Sequence, residues 1–220
     1  MRSALGFVDV GFLRSEGARA MGMRVADVRP DAQAVVDWFL GCVPAGATFL
    51  RAYWYDGAFD PSHAEYAGQR RFFDAIAFTP GVQLRLGHIA ERASRLERPV
   101  LHALRSTAVA LAIDPHDLVA EFQKHWTFHP ERTQKGVDTL MALDLVRLAT
   151  RIPALTAIVV SGDRDLAEAV RAAQDAGATV EVATPSRASL AKELAQLADK
   201  VVDLDVGVLR TMLPSRPGAA

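Results

Sequence analysis

A chain of 220 residues, half of them hydrophobic, holds enough apolar material for one large domain or a domain with an insertion. Its 25 Lys and Arg against 26 Asp and Glu leave a formal charge of -1, which excludes a broadly basic surface; attraction to nucleic acid would have to rest on a local patch and on metal ions. The lone Cys42 excludes an internal disulfide and a cysteine zinc site, and with no basic-then-apolar leader and no apolar run near the ~20 residues of a membrane span, the sequence reads as a cytoplasmic protein.

Leu5–Val10 is a short apolar run and reads as the first strand. Pro30–Val43 spaces Val35, Val36, Phe39 and Leu40 as one helical face, with Pro30 suited to the first turn and Cys42 as a small core hydrophobe. Thr48–Tyr55 is aromatic and β-branched, a strand that closes on the turn signal Asp56-Gly57. Ala64–Phe78 is helical, and Val82–Ile89 alternates apolar and polar residues as a half-buried strand near an edge does. Val137–Leu148, apolar almost all round, reads as a buried helix. Leu155–Val160 is a buried parallel strand, followed by a helix opening at Leu166. A strand at Thr179–Ala183, a helix at Leu190–Leu197 and a strand at Val201–Leu204 complete the rhythm.

Alternating strands and helices predict an α/β fold with a mostly parallel sheet covered on both faces, one domain over residues 1–212. Ala90–Arg132 breaks the alternation and reads as a helical insertion or lid, with amphipathic helices near Val100–Ala112 and Asp117–Trp126. Residues 213–220 read as a disordered tail.

The chemistry concentrates in Ser161-Gly162-Asp163-Arg164-Asp165, at the carboxyl end of a strand, where open α/β sheets place their ligands. Asp9 ends the first strand, and Asp138 enters the first turn of a helix announced by Lys135-Gly136-Val137. Strand ends and the following helix starts share one rim, so Asp9, Asp138, Asp163 and Asp165 can converge. Clustered ionised carboxylates repel and ask for a divalent cation, and hard oxygen donors suit Mg²⁺ or Mn²⁺. An Asp after a strand is also a good helix N-cap, a role open to Asp163 and Asp165. Asp144, inside the apolar helix, needs a partner that Arg147 or Arg151 could supply. Asp56 reads as a turn-shaping residue, and Tyr53, Trp54 and Tyr55 as core. His88, His102, His116, His125 and His129 match no zinc spacing.

Phe7-Val8-Asp9, Tyr53-Trp54-Tyr55-Asp56-Gly57, Lys135-Gly136-Val137-Asp138 and Ser161-Gly162-Asp163-Arg164-Asp165 follow one another as in the NYN domain, and the sequence resembles the LabA-like branch of the PIN-like ribonucleases over residues 5–205. The resemblance implies a PIN-like three-layer sandwich and Mg²⁺- or Mn²⁺-dependent hydrolysis of RNA, with Asp9, Asp138, Asp163 and Asp165 as catalytic and metal-holding acids. On this reading Lys135 and Ser161, with a basic patch of Arg92, Arg95 and Arg98, meet the RNA. The partner is RNA and no membrane, with room for a homo-oligomer. One position departs: many members carry Asn three residues after the first Asp, where this chain has Phe12, which can neither ligate a metal nor contact a phosphate. Phe12 favours the alternative of a non-catalytic RNA- or protein-binding module. A haloacid-dehalogenase-type phosphatase would want an acid at position 11, where Gly11 stands.

Overall fold

The structure, a computed structural model, describes residues 2–92, 98–125 and 131–216. They fall into two compact units, residues 1–89 with 134–220, and residues 90–133.

The larger unit is a sheet wrapped by helices. Its parallel strands are β1 (Arg2–Asp9), β2 (Ala47–Ala58), β3 (Val82–Arg92), β5 (Leu155–Val160), β6 (Thr179–Thr184) and β7 (Lys200–Asp203). With β4 (Glu131–Lys135) the order is β4-β3-β2-β1-β5-β6-β7. Side-chain alternation sends Leu5, Phe7, Tyr53 and Tyr55 to one face and Val8, Trp54, Ile158 and Val160 to the other. The first face is covered by α6 (Val137–Arg151), α7 (Ala167–Asp175) and α8 (Lys192–Leu197). The second is covered by α1 (Val10–Ala20), α2 (Ala32–Cys42), α3 (Tyr66–Ala77) and α9 (Val206–Met212). This is the expected three-layer α/β fold. Central β5 is buried along all six residues, as its unbroken apolar run requires.

Among the described α-helices and strands, α1 (Val10–Ala20), β4 (Glu131–Lys135) and α9 (Val206–Met212) had no counterpart in the sequence reading. The helix over Val137–Leu148 is real, but it is not buried all round as its apolar residues predicted, since Leu143 is 64% exposed. The chain end also differs from the expected loose tail. Leu213 is buried, Arg29 N–H donates to the Pro214 carbonyl at 3.1 Å, and Arg216 N–H donates to that of Asp27 at 2.8 Å. Packing of α9 under the second face carries these residues into place. Residues 217–220 lie outside the described residues.

The smaller unit contains α4 (Arg98–Ala110) and α5 (Pro115–His125), packed together around Ala108. His125 lies 3.0 Å from Glu121, and Arg132 donates to Glu91 at 2.8 Å. Arg98 is exposed at the start of α4. Arg95, Trp126, His129 and the side chain of Arg92 lie outside the described residues. Among the described residues no helix is long and apolar enough to cross a membrane.

Candidate active site

Strand order locates the site. The chain runs outward from β1 through β2 to β3, then returns to the other side of β1 with β5, so the order reverses between β1 and β5. Crevices open at such reversals, outside the carboxyl ends of the strands. Val8 pairs with Val160, so Asp9 and Ser161 leave the sheet side by side.

Asp9 is buried and caps α1, its Oδ1 accepting the Phe12 N–H at 3.0 Å. Burial, with repulsion from Asp138 and Asp56, pushes its carboxyl up to about 7 against the pull of the Phe12 N–H. Asp138 enters the first turn of α6 behind Gly136, whose φ of 78° is open to glycine at little cost. Partial burial, then repulsion from Asp163 and Asp165, raises its pKa. Asp163 caps the 3₁₀ turn Arg164–Leu166, its Oδ1 accepting the Asp165 N–H at 2.9 Å. Capping and proximity to the other acids thus hold together at this residue. Asp163 is partly exposed and Asp165 exposed.

The loop that carries Asp163 is clamped. The buried Ser161 Oγ accepts the Asp163 N–H at 3.3 Å, and the Gly162 carbonyl accepts the Ala191 N–H at 3.0 Å. Ser161, expected to meet substrate, instead turns inward and shapes the loop. Phe12 closes the other side: a Cβ on Gly162 would stand 2.7 Å from its ring and collide with the Ser189 carbonyl. Phe12 therefore joins Asp9, through its N–H, to the Asp163 loop, through its ring. Gly162→Ala should cost roughly 1–3 kcal/mol by overpacking, read as a lower melting temperature; a change within 0.5 kcal/mol would show that the clamp is loose.

Two further acids lie near the rim. Asp56 is buried; burial pushes it up to about 6 although it accepts the Gly57 N–H at 2.8 Å and Gln134 Nε2 at 3.0 Å. It does not sit in the turn read at Asp56-Gly57: β2 runs on to Ala58, with Asp56 paired to Leu86 and Gly57 to Gly87, and Asp56 instead anchors Gln134 and adds charge beside Asp9. Asp144 is buried on α6 and accepts Tyr55 Oη at 3.1 Å and Arg147 Nη2 at 2.7 Å, with Arg85 Nε 2.9 Å away. Arg147 was foreseeable as its partner; Arg85 and Tyr55 were not. Tyr53, Trp54 and Tyr55 are all buried, and the first and last stack with Phe7, so none is free to stack a base. Lys135 is exposed at the end of β4, just ahead of α6. Gln134 and Asp56 had only one sequence signal, their adjacency to Lys135-Gly136-Val137-Asp138 and to Gly57.

Among the described residues, no three His, Cys, Asp or Glu side chains come close enough to hold a metal unaided. The donor chemistry nonetheless fits a hard divalent ion. Mg²⁺ keeps several waters and needs only one or two carboxylates beside substrate phosphates; here, after burial, Asp138 helps raise Asp9, and Asp163 and Asp165 help raise Asp138.

This mixed α/β fold, with its mostly parallel seven-stranded sheet, is consistent with a PIN-like nuclease fold. The NYN domain family model matches residues 23–205, and the chain belongs to that family. The match begins beyond Asp9, which the fold itself brings beside the matched acids. Among solved structures, a protein of unknown function, VPA0982 from Vibrio parahaemolyticus RIMD 2210633, is similar at 15% identity and a TM-score of 0.53 over 96% of both chains, a likeness of fold. No curated protein matches.

Proposed function

We propose that this protein is a Mg²⁺- or Mn²⁺-dependent endoribonuclease of the LabA-like branch, with Asp9, Asp138, Asp163 and Asp165 as its acids. The observation that supports it most is electrostatic. Burial first, then neighbouring acids, lift Asp9 and Asp138, a repulsion that a divalent cation would relieve. When bound, such an ion would neutralise phosphate charge and make a water acidic enough to attack. Asp9 has to give up the proton that burial favours, while α1 holds its carboxylate by the Phe12 N–H. Ser161, Gly162 and Phe12 fix the loop from which Asp163 projects. Lys135 and the amino end of α6 are suited to a phosphate. On charge grounds, Arg92, Arg95 and Arg98 in the residue 90–132 insertion supply the attraction that a net charge of -1 lacks. We further propose a cytoplasmic location, RNA as partner and a surface compatible with a homo-oligomer.

The rival reading is a non-catalytic RNA- or protein-binding module, favoured by Phe12, whose ring packs against Gly162 where a polar Asn is common in the family. Incubating wild type and Asp163→Asn with mixed RNA oligonucleotides, with and without Mg²⁺ or Mn²⁺, separates the two. The nuclease reading expects internal cleavage by wild type with metal only, and none by the variant. Binding without cleavage under every condition would select the module.

Replacing Arg92, Arg95 and Arg98 by Ser is expected to weaken RNA binding across sequences and flatten the salt slope by up to about 2. A slope equal to that of wild type would make the cluster a solvated face.

A further inference from the structure

Gln134 occupies a slot that two glycines keep open. A Cβ on Gly11, in the first turn of α1, would stand 2.7 Å from Gln134 Oε1 and 3.3 Å from Asp9 Oδ1. A Cβ on Gly57, near the end of β2, would stand 2.8 Å from Gln134 Cγ. The side chain therefore lies across both backbones, and any larger residue at 11 or 57 would displace it. Its amide is oriented: Nε2 donates to the buried Asp56 at 3.0 Å, which leaves Oε1 on the Gly11 side, beside Asp9. Gln134 is partly exposed, so that oxygen is within reach of the crevice.

We propose that Gln134 is a further residue of the acidic rim, its Oε1 offering a neutral oxygen to a divalent cation held by Asp9. Position 12, where the family often carries a carboxamide, holds an apolar ring here; β4 brings a carboxamide to Asp9 from another direction. Neutral amide oxygens serve hard cations well and add no charge to carboxylates that already repel. Asp56 then has a defined part: its carboxylate fixes the amide so that oxygen, not nitrogen, faces Asp9. The inference rests on the metal reading above.

Calorimetric titration of the full chain with MnCl₂ tests it, using wild type, Gln134→Leu and Gln134→Glu, with the metal-free melting temperature of each. Gln134→Leu keeps the side chain's bulk without its oxygen and should weaken Mn²⁺ by about tenfold, the scale of losses around metal ligands. Gln134→Glu keeps an oxygen and adds charge; it should bind Mn²⁺ at least as tightly as wild type while melting lower without metal. A purely structural Gln134 would lower the melting temperature of Gln134→Leu and leave its Mn²⁺ affinity at the wild-type value, which would overturn the inference. Should Gln134→Leu not fold, weaker Mn²⁺ binding by Gln134→Glu than by wild type would overturn it equally. Absence of any binding by wild type would instead remove the metal reading and this inference with it.

Discussion

Metal-free protein is expected to be less stable at pH 8 than at pH 6, and Asp9→Asn should reverse most of that loss. Asp9 is pushed up to about 7 by burial and by its acidic neighbours, against about 3.8 when unfolded. The folded state thus holds the proton more tightly, so the sign is opposite to that of a salt-bridged carboxylate. The Asp9 contribution is intact below about pH 4 and is lost as pH rises through about 7. At 1.36 kcal/mol per pH unit, the full loss between about pH 4 and pH 8 is about 4 kcal/mol, of which about 1 kcal/mol falls between pH 6 and pH 8. Asp56, at about 6, behaves alike on a smaller scale. Asn at position 9 still caps a helix well, so the variant removes the charge and keeps the α1 start. Melting in a chelator at pH 6 and pH 8 reads both effects. Equal pH dependence in wild type and Asp9→Asn would show that Asp9 is not held above its ordinary range.

Asp144→Ala should cost about 3 kcal/mol. Asp144 is buried and takes Tyr55, Arg85 and Arg147 on its two oxygens. Truncating one partner of a buried pair strands the others, a loss of typically 3–5 kcal/mol. Arg85 and Arg147 keep 28% and 45% of their side chains exposed, so water recovers part of it and the lower end applies. For a chain of this size that is a fall of roughly 6–12 °C in melting temperature. Adding Tyr55→Phe, which removes the stranded hydroxyl, should restore some of it. A cost below about 1 kcal/mol would mean that the network is loosely coupled.

What the sequence displays about this fold follows from what each element buries. Strand β5 and the loop after it are legible because both faces are covered, which leaves one uninterrupted apolar run and then Ser161-Gly162-Asp163. Asp9, Asp138 and Asp163 were identifiable because strand ends and helix starts share a rim, a rule that needs no long-range detail. Helix α1 is obscured by Gly11 and Gly17, which weaken a helical pattern. Both have packing reasons visible only in three dimensions: Gly11 admits Gln134, and a Cβ on Gly17 would stand 2.5 Å from Leu213. Strand β4, Glu131–Lys135, has no apolar residue and so no periodicity to read. The partners of Asp144 and Asp56 come from elements far apart in sequence, Arg85 from 59 residues away and Gln134 from 78. Local spacing cannot reveal such pairs.

On the proposed function, the acids at the β1/β5 reversal act as one divalent-cation site. Its most direct test is the melting temperature of wild type and Asp163→Asn against Mn²⁺ concentration at pH 8. Asp163 raises Asp138 by repulsion, so removing its charge should leave the metal-free melting temperature unchanged or higher. Wild type should rise with Mn²⁺, gaining about 2.7 kcal/mol at a hundredfold excess over the dissociation constant. The variant should not rise. A wild-type melt indifferent to millimolar Mn²⁺, or an equal rise in Asp163→Asn, would contradict the account.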